Sequence, residues 1–497
     1  MATPWKLQSG GVHLSAGEPG DSTEIPPETP FRLLVSGNFV GNRANAVPLS
    51  QRKPVRIDRD NFDEVLAKMA PSITIRQQAD DADLTISFKE LDDFEPDRLF
   101  KALPIFDELR SLQAQLGQAS TFQQAAAKVR NWATFPKPAS EPAAVSKPAL
   151  SGADVLAGML GDGGGQAGPE TREMGEWERF LRRIVQPQLV EKTDPAKADY
   201  ERVVEQAIGA RMRAILHQPD FQALEAAWRS VFLLVNRLPT DENLQIHVFD
   251  AGLDEWRADL AAVDPRGSVF FREVVERAAD RPWAAFVSLE TFGKEVADLE
   301  LLASMAILSA QARTPFLAGV STTLAGCASL ATDPEPRTWK PNAALATAWQ
   351  MIRGMAPARY LGVVTPRFLL RLPYGKDAAS TDSFAFEEMP APEHEHYLWG
   401  SSAVLCALLM AEGYAASGWK LNLDDVRQID GLPLHVYRED GESTMKPCAE
   451  VRLRETALEA LTDHGLMVMV SIPDRDGVRL HRFQSAAKGP EPLAGHW

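Results

Sequence analysis

Arg52-Lys-Pro-Val-Arg-Ile-Asp-Arg-Asp-Asn-Phe-Asp-Glu-Val-Leu66 is the stretch on which the reading of this chain turns. Val55 and Ile57 alternate with polar neighbours, as the residues of a short strand do. Asp60 and Asn61 are both good N-cap residues, and Glu64 puts an acid in the first turn behind them. Phe62, Val65, Leu66 and Met69 then share one face at helical spacing, so a helix is expected over residues 61–70, stopped by Pro71. A second informative stretch lies much further along, His217-Gln-Pro-Asp-Phe-Gln-Ala-Leu-Glu-Ala-Ala-Trp-Arg229. Phe221, Leu224 and Trp228 fall on one helical face, which marks them as packing residues.

Working outward, Phe31 to Val35 is a compact apolar run before Ser36-Gly37-Asn38, the pattern of a buried strand and a turn. Ile73 and Ile75, then Leu84, Ile86 and Phe88, alternate with polar residues around the acidic turn Asp80 to Asp83, giving two half-buried strands. A helix is expected from Asp97 to about Leu116, and another from Phe122 to Trp132. Residues 136–170 differ: Pro136, Pro138, Pro142 and Pro148 precede Gly161-Asp-Gly-Gly-Gly165. Such a segment lacks the apolar surface to offset the entropy of ordering it and reads as a linker. Ala153 to Leu160 is its one island apolar enough for a short amphipathic helix, although a frayed linker is the simpler reading. From Trp177 onward helical patterns (200–216, 219–235, 296–312, 399–416) alternate with short apolar strands (244–248, 284–289, 316–320, 361–364). That alternation predicts an α/β fold with a largely covered sheet.

The 497 residues suffice for two or three domains. A net charge of −16 argues against a nucleic-acid partner and against docking on anionic lipid. Cys327, Cys406 and Cys448 have no spacing for a disulfide frame or a zinc site. The first twenty residues carry no apolar segment behind a basic start, and Trp399 to Ala411, the longest apolar stretch, falls short of the roughly 20 residues of a membrane span. No membrane insertion and a cytoplasmic location are therefore expected.

Chemistry-bearing patterns are weak. His394-Glu395-His396 lacks the i, i+4 histidines of a zinc protease. Ala318-Gly319-Val320-Ser321 is a strand end rather than a nucleophile elbow. No glycine-rich loop has phosphate-loop spacing. Asp58, Asp60, Asp92 and Asp93 suit caps and turns better than acid–base work. No enzyme activity, cofactor or metal is expected.

Arg52 to Leu66, with Pro48-Leu49 and Leu91-Asp-Asp-Phe-Glu-Pro96, resembles the small subunit of the contractile sheath of bacterial type VI secretion systems (TssB-like, or VipA-like). His217 to Arg229 resembles the large subunit (TssC-like, or VipB-like), together with Thr314 to Gly319, Arg359 to Gly362, Pro366 to Leu369, Arg371 to Gly375, Phe384 to Glu388, Gly431 to Pro433 and Gly465 to Met467. The resemblance implies a tail at 1–26, a small sheath domain at 27–135, a linker at 136–170 and a large sheath domain at 171–490. It implies further that the two modules pack as an intramolecular heterodimer. The chain is expected to lack the large subunit's usual C-terminal linking segment. Two short N-terminal strands, around Trp5 and Leu7 and around Val12 and Leu14, are the candidate partner-binding residues. Expected partners are sheath subunits, with the baseplate, inner tube or a ClpV-like ATPase as further possibilities. The leading expectation is a structural component of, or associated with, the sheath, either a specialised subunit or one that sits at a sheath end. The alternatives are a soluble regulator or decoy and a full polymerising subunit.

Overall fold

The computed structural model describes residues 25–43, 46–76, 83–132, 197–261, 264–376, 378–439 and 441–497. The candidate residues Trp5, Leu7, Val12 and Leu14, the segment 136–170 and most of the acidic turn at 80–83 lie outside the described residues.

The first elements are β1 (Phe31–Gly37), β2 (Val55–Ile57), α1 (Phe62–Met69), β3 (Ser72–Ile75) and β4 (Leu84–Ser87). Helices α2 (Pro96–Ala102), α3 (Asp107–Gly117) and α4 (Phe122–Arg130) follow. Residues 97–116 thus form two helices rather than the one expected. Pro104 cannot continue a hydrogen-bonded helix, and a short 3-10 turn at Pro104–Phe106 re-aims the chain. Asp93 caps the turn ahead of α2 by accepting from the amides of Lys89 and Glu90.

Beyond residue 196 come α5 (Lys197–Leu216), α6 (Pro219–Arg237), β5 (Leu244–Asp250), α7 (Leu253–Asp259), β6 (Ala285–Phe292), α8 (Val296–Ala312) and β7 (Phe316–Val320). Next are α9 (Ala343–Arg353), β8 (Leu361–Thr365), β9 (Phe368–Leu369), β10 (Trp399–Gly400), α10 (Ala403–Ser417) and β11 (Gln428–Ile429). The hairpin β12 (His435–Glu439) and β13 (Glu442–Lys446), α11 (Glu455–Asp463), β14 (Met467–Ser471) and β15 (Val478–Leu480) complete the order. The helix expected from Trp399 starts later, because Trp399 and Gly400 pair with β9.

One nine-stranded sheet organises the molecule, in the order β11-β15-β14-β8-β7-β6-β1-β5-β2. The six strands from β14 to β5 run parallel, and β2, β15 and β11 are antiparallel additions at the two edges. Parallel strands need cover on both faces. Two hydrophobic clusters provide it. One contains Trp256, Phe270, Leu302, Met305 and Trp349 from α7, α8, α9 and the loops between. The other joins α6 and α10 to α1, α3 and the β3–β4 hairpin. Every residue from Ala403 to Ala411 is buried, so the longest apolar stretch is a core helix. Among the described residues no helix is long and apolar enough to cross a membrane.

Candidate functional site

The most informative place in the fold is the seam between the segment before residue 133 and the segment after 196. It begins in the sheet. β1 lies between β5 and β6, with Leu33 opposite both Ile246 and Ala285, and β2 pairs with the far side of β5. Strands from one end of the chain are thus hydrogen-bonded into a sheet otherwise built from the other end.

Side chains extend the seam. Trp228 on α6 is fully buried, and its indole Nε1 donates to the carbonyl of Phe39 at 3.0 Å. Its ring meets Phe39 and Phe62 edge-on, at centroid distances of 5.3 and 5.8 Å. One turn and two turns earlier on the same helix, Leu224 and Phe221 are buried as well. Phe221 abuts Phe88 and Phe94, which stack 3.9 Å apart. Phe221, Leu224 and Trp228 therefore face the N-terminal segment, where aromatic edge-to-face contacts add to plain burial.

Charges close the seam at the C-terminal end of β5. Asp250 accepts from the amides of Phe39 and Val40 and meets Arg43 at 3.0 Å and Arg52 at 3.3 Å. Arg52 also binds Glu255 at 2.7 Å and the carbonyl of Asp250 at 2.9 Å, and Arg43 reaches Glu255 too. Burial pushes the Glu255 carboxyl up, but hydrogen bonds from Arg52 and the Gly252 amide, with the charge of Arg43, hold it below the usual carboxylate range. Further away, Asp97 accepts from the amides of Asp382 and Ser383, both at 2.8 Å, and Phe100 packs on Phe384 at 4.8 Å.

A second charged cluster sits behind α6. Arg371 spans Glu225 and Glu388, each at 2.7 Å, and Arg229 binds Glu225 at 2.7 Å. Burial by itself pushes the Glu388 carboxyl up. For Glu388 it is outweighed by Arg371, by His217 and by the Tyr374 amide, which hold the carboxyl at about 2. Burial pushes the Tyr374 phenol up to about 12. Beside this cluster a cleft of about 540 Å³ is lined by Arg213, His217, Glu388, Met389, Glu393 and His396. His217 and His396 stack there at 3.9 Å.

The other sequence candidates have structural positions. His394 lies between Glu450 and Lys446, at 3.0 and 2.7 Å. Among the described residues no group of three His, Cys, Asp or Glu side chains is placed to hold a metal. Ser321 caps a short 3-10 turn by accepting from the Thr323 amide. Cys327, Cys406 and Cys448 are buried free thiols, each pushed up by burial. The seam charges Arg43, Asp250 and Glu255 were missed in the sequence. Their partner Arg52 was visible, but nothing local ties it to carboxylates some 200 positions away.

Comparison with known proteins agrees with this division. The family model described as "Type VI secretion system, VipA, VC_A0107 or Hcp2" matches residues 17–131. The model described as "EvpB/VC_A0108, tail sheath N-terminal domain", of the VipB family, matches residues 201–487. The type VI secretion system sheath protein TssC1 of Pseudomonas aeruginosa is 28% identical over 347 residues, covering 65% of this chain and 69% of that protein.

Proposed function

From the premise that the chain belongs to the VipB tail-sheath family and carries a VipA stretch ahead of it, consistent with a VipA–VipB fusion, we propose that it is a structural component of a type VI contractile sheath. In this proposal its two segments pack as an intramolecular counterpart of a small–large subunit pair. The observation that carries the reading is the place of β1: a strand from the VipA-matched stretch is flanked on both sides by strands of the VipB-matched stretch. Backbone pairing of that kind, with the Trp228 cluster and the Arg43–Arg52–Asp250–Glu255 charges, supports the intramolecular pairing. Joining the partners fixes their ratio at one to one and replaces a bimolecular association by an intramolecular one.

The matched families are structural, and the role proposed is mechanical rather than catalytic. Sheath subunits are the proposed partners. Two measurements test this. A protease site introduced between residues 133 and 196 should, after cleavage, leave two fragments that co-elute without denaturant; separation at micromolar concentration would overturn the intramolecular pairing. Negative-stain microscopy of the protein mixed with VipA- and VipB-type subunits should find it incorporated into sheath assemblies. Exclusion from every assembly would overturn the sheath role.

A further inference from the structure

Most of this chain's surface charge is negative, with a net of −16. One corner of the sheet is the reverse. Arg56 on β2 lies directly opposite His247 on β5, and His247 lies opposite Leu34 on β1, two residues beyond Arg32. Side chains two apart on a strand share a face, so Arg32, Arg56 and His247 project from the same side. Arg281, in the loop before β6, completes the group, and Arg32 lies flat over Trp283 at 3.9 Å from its ring centre.

The hydrogen bonds that Arg32 and Arg56 donate go to backbone oxygens. Arg32 donates to the carbonyl of Arg281, and Arg56 to the carbonyl of Asp241 at 2.8 Å. One oxygen of the nearby Asp241 carboxylate, Oδ1, accepts from the amides of Asn243 and Leu244. Among the described residues none of the three arginines forms an ion pair with a carboxylate. Burial first, and Arg281 second, bring Arg32 down to about 10. Burial, then Arg32 and Arg56, bring His247 down to about 3. His247 is only 8% exposed, and its buried Nδ1 has no hydrogen-bond partner among the described residues. A buried polar atom without a partner is uncommon and asks for an explanation. Arg56 and Arg281 are exposed, and β2 is an edge strand, so the corner is open to an approaching chain.

We propose that Arg32, Arg56, Arg281 and His247 form a carboxylate-binding corner that receives an acidic side chain of a neighbouring sheath subunit. Arg32, Arg56 and Arg281 offer forked guanidinium donors to a carboxylate, and the buried His247 ring, edge-on to Trp283 at 5.1 Å, lies beside them. The proposal rests on the sheath reading for its partner, while the chemistry of the corner stands by itself. Charge complementarity argues for it: this corner is cationic, and a neighbouring subunit that is a second copy of this chain, with its net charge of −16, presents carboxylates.

The full-length protein, with isotope-labelled histidine, is titrated with hexaglutamate, hexaglutamine and inorganic phosphate while the His247 ring resonances are followed. Hexaglutamate should shift them saturably and raise the His247 titration midpoint; hexaglutamine should not. Arg32→Gln should weaken the effect roughly tenfold, Arg56→Gln should also weaken it, and Arg32→Lys should retain most of it. Arg337→Gln, remote from the corner, should bind as the parent does. Four results would each overturn the proposal: no response to hexaglutamate, a response to phosphate alone, an unchanged response in both Arg→Gln variants, or a His247 midpoint near the ordinary histidine value before any addition. The last would place an internal carboxylate in the corner. Each leaves incorporation into sheath assemblies as a separate measurement, so the failure of the corner and the failure of the sheath role are distinguishable.

Discussion

Replacing Trp228 by alanine should be among the most damaging single changes in this molecule. The indole is fully buried. Burial of a tryptophan removes on the order of 200 Å² from water, roughly 5 kcal/mol at about 25 cal/mol per Å². Alanine retains a small part of that, and relaxation recovers some of the cavity, so core Trp→Ala changes cost about 3–5 kcal/mol. The lost donor adds a further contribution, because the Phe39 carbonyl at 3.0 Å loses its indole partner in a dry site; an unsatisfied buried acceptor costs about 1–3 kcal/mol. A total of about 4–8 kcal/mol is expected for Trp228→Ala, against about 2–4 kcal/mol for Trp228→Phe, which keeps a ring between Phe39 and Phe62 but loses the same donor. Urea unfolding followed by far-UV circular dichroism reads both values. Because the indole clamps the N-terminal segment, limited proteolysis should also cut within residues 25–130 of the alanine variant first. A loss below about 1 kcal/mol for Trp228→Ala, or equal losses for the two variants, would refute the argument that this ring holds the seam.

Arg52→Ala should cost about 2 kcal/mol, since Asp250 and Glu255 would keep only Arg43 as a cation at a partly buried site; Arg52→Lys should recover part of it in the same urea assay. Stability should fall on acidification in two stages. His247 is held near 3 in the folded chain, below its free value, so its contribution is complete above about pH 6.5 and drains as the pH drops toward 3. Glu388 is held near 2, so its contribution is complete above about pH 4.5 and drains below that. Urea midpoints against pH should therefore decline from near neutrality, and His247→Gln should flatten the upper stage only; a flat parent profile from pH 7 to 5 would contradict this. The three thiols are buried, so Ellman's reagent should titrate them only after denaturant is added.

Much of the fold was readable because its strands are short apolar runs and its helices strongly periodic. Phe31 to Val35 and Phe316 to Val320 announce strands by composition, and β7 spans that second run end to end. Helix breaks depended on single residues: Pro104 divides α2 from α3. Trp399 and Gly400 looked helical because the apolar run continues into α10, yet a Cβ at Gly400 would sit 2.8 Å from Phe368 and Leu370, the close approach of a strand pair. Long-range partners were out of reach. No local pattern says that Arg52 meets Glu255, or that Arg371 joins Glu225 to Glu388. His247 reads in sequence as one polar position in an alternating strand, and its unpartnered nitrogen emerges only once β1 and β2 flank it.

The place of β1 also sets a timetable. Leu33 pairs with Ile246 and with Ala285, which follow it by 213 and 252 positions, from 246 − 33 and 285 − 33. At a synthesis rate of roughly 5–20 residues per second, between ten seconds and a minute pass before both neighbours have been made. During that wait the apolar run from Phe31 to Val35 has no sheet to enter, and an unpaired apolar strand is a template for the wrong partner. A chain built this way completes its central sheet only late in synthesis, so slowing translation between residues 40 and 240 should lengthen the exposure of one strand and raise the aggregated fraction.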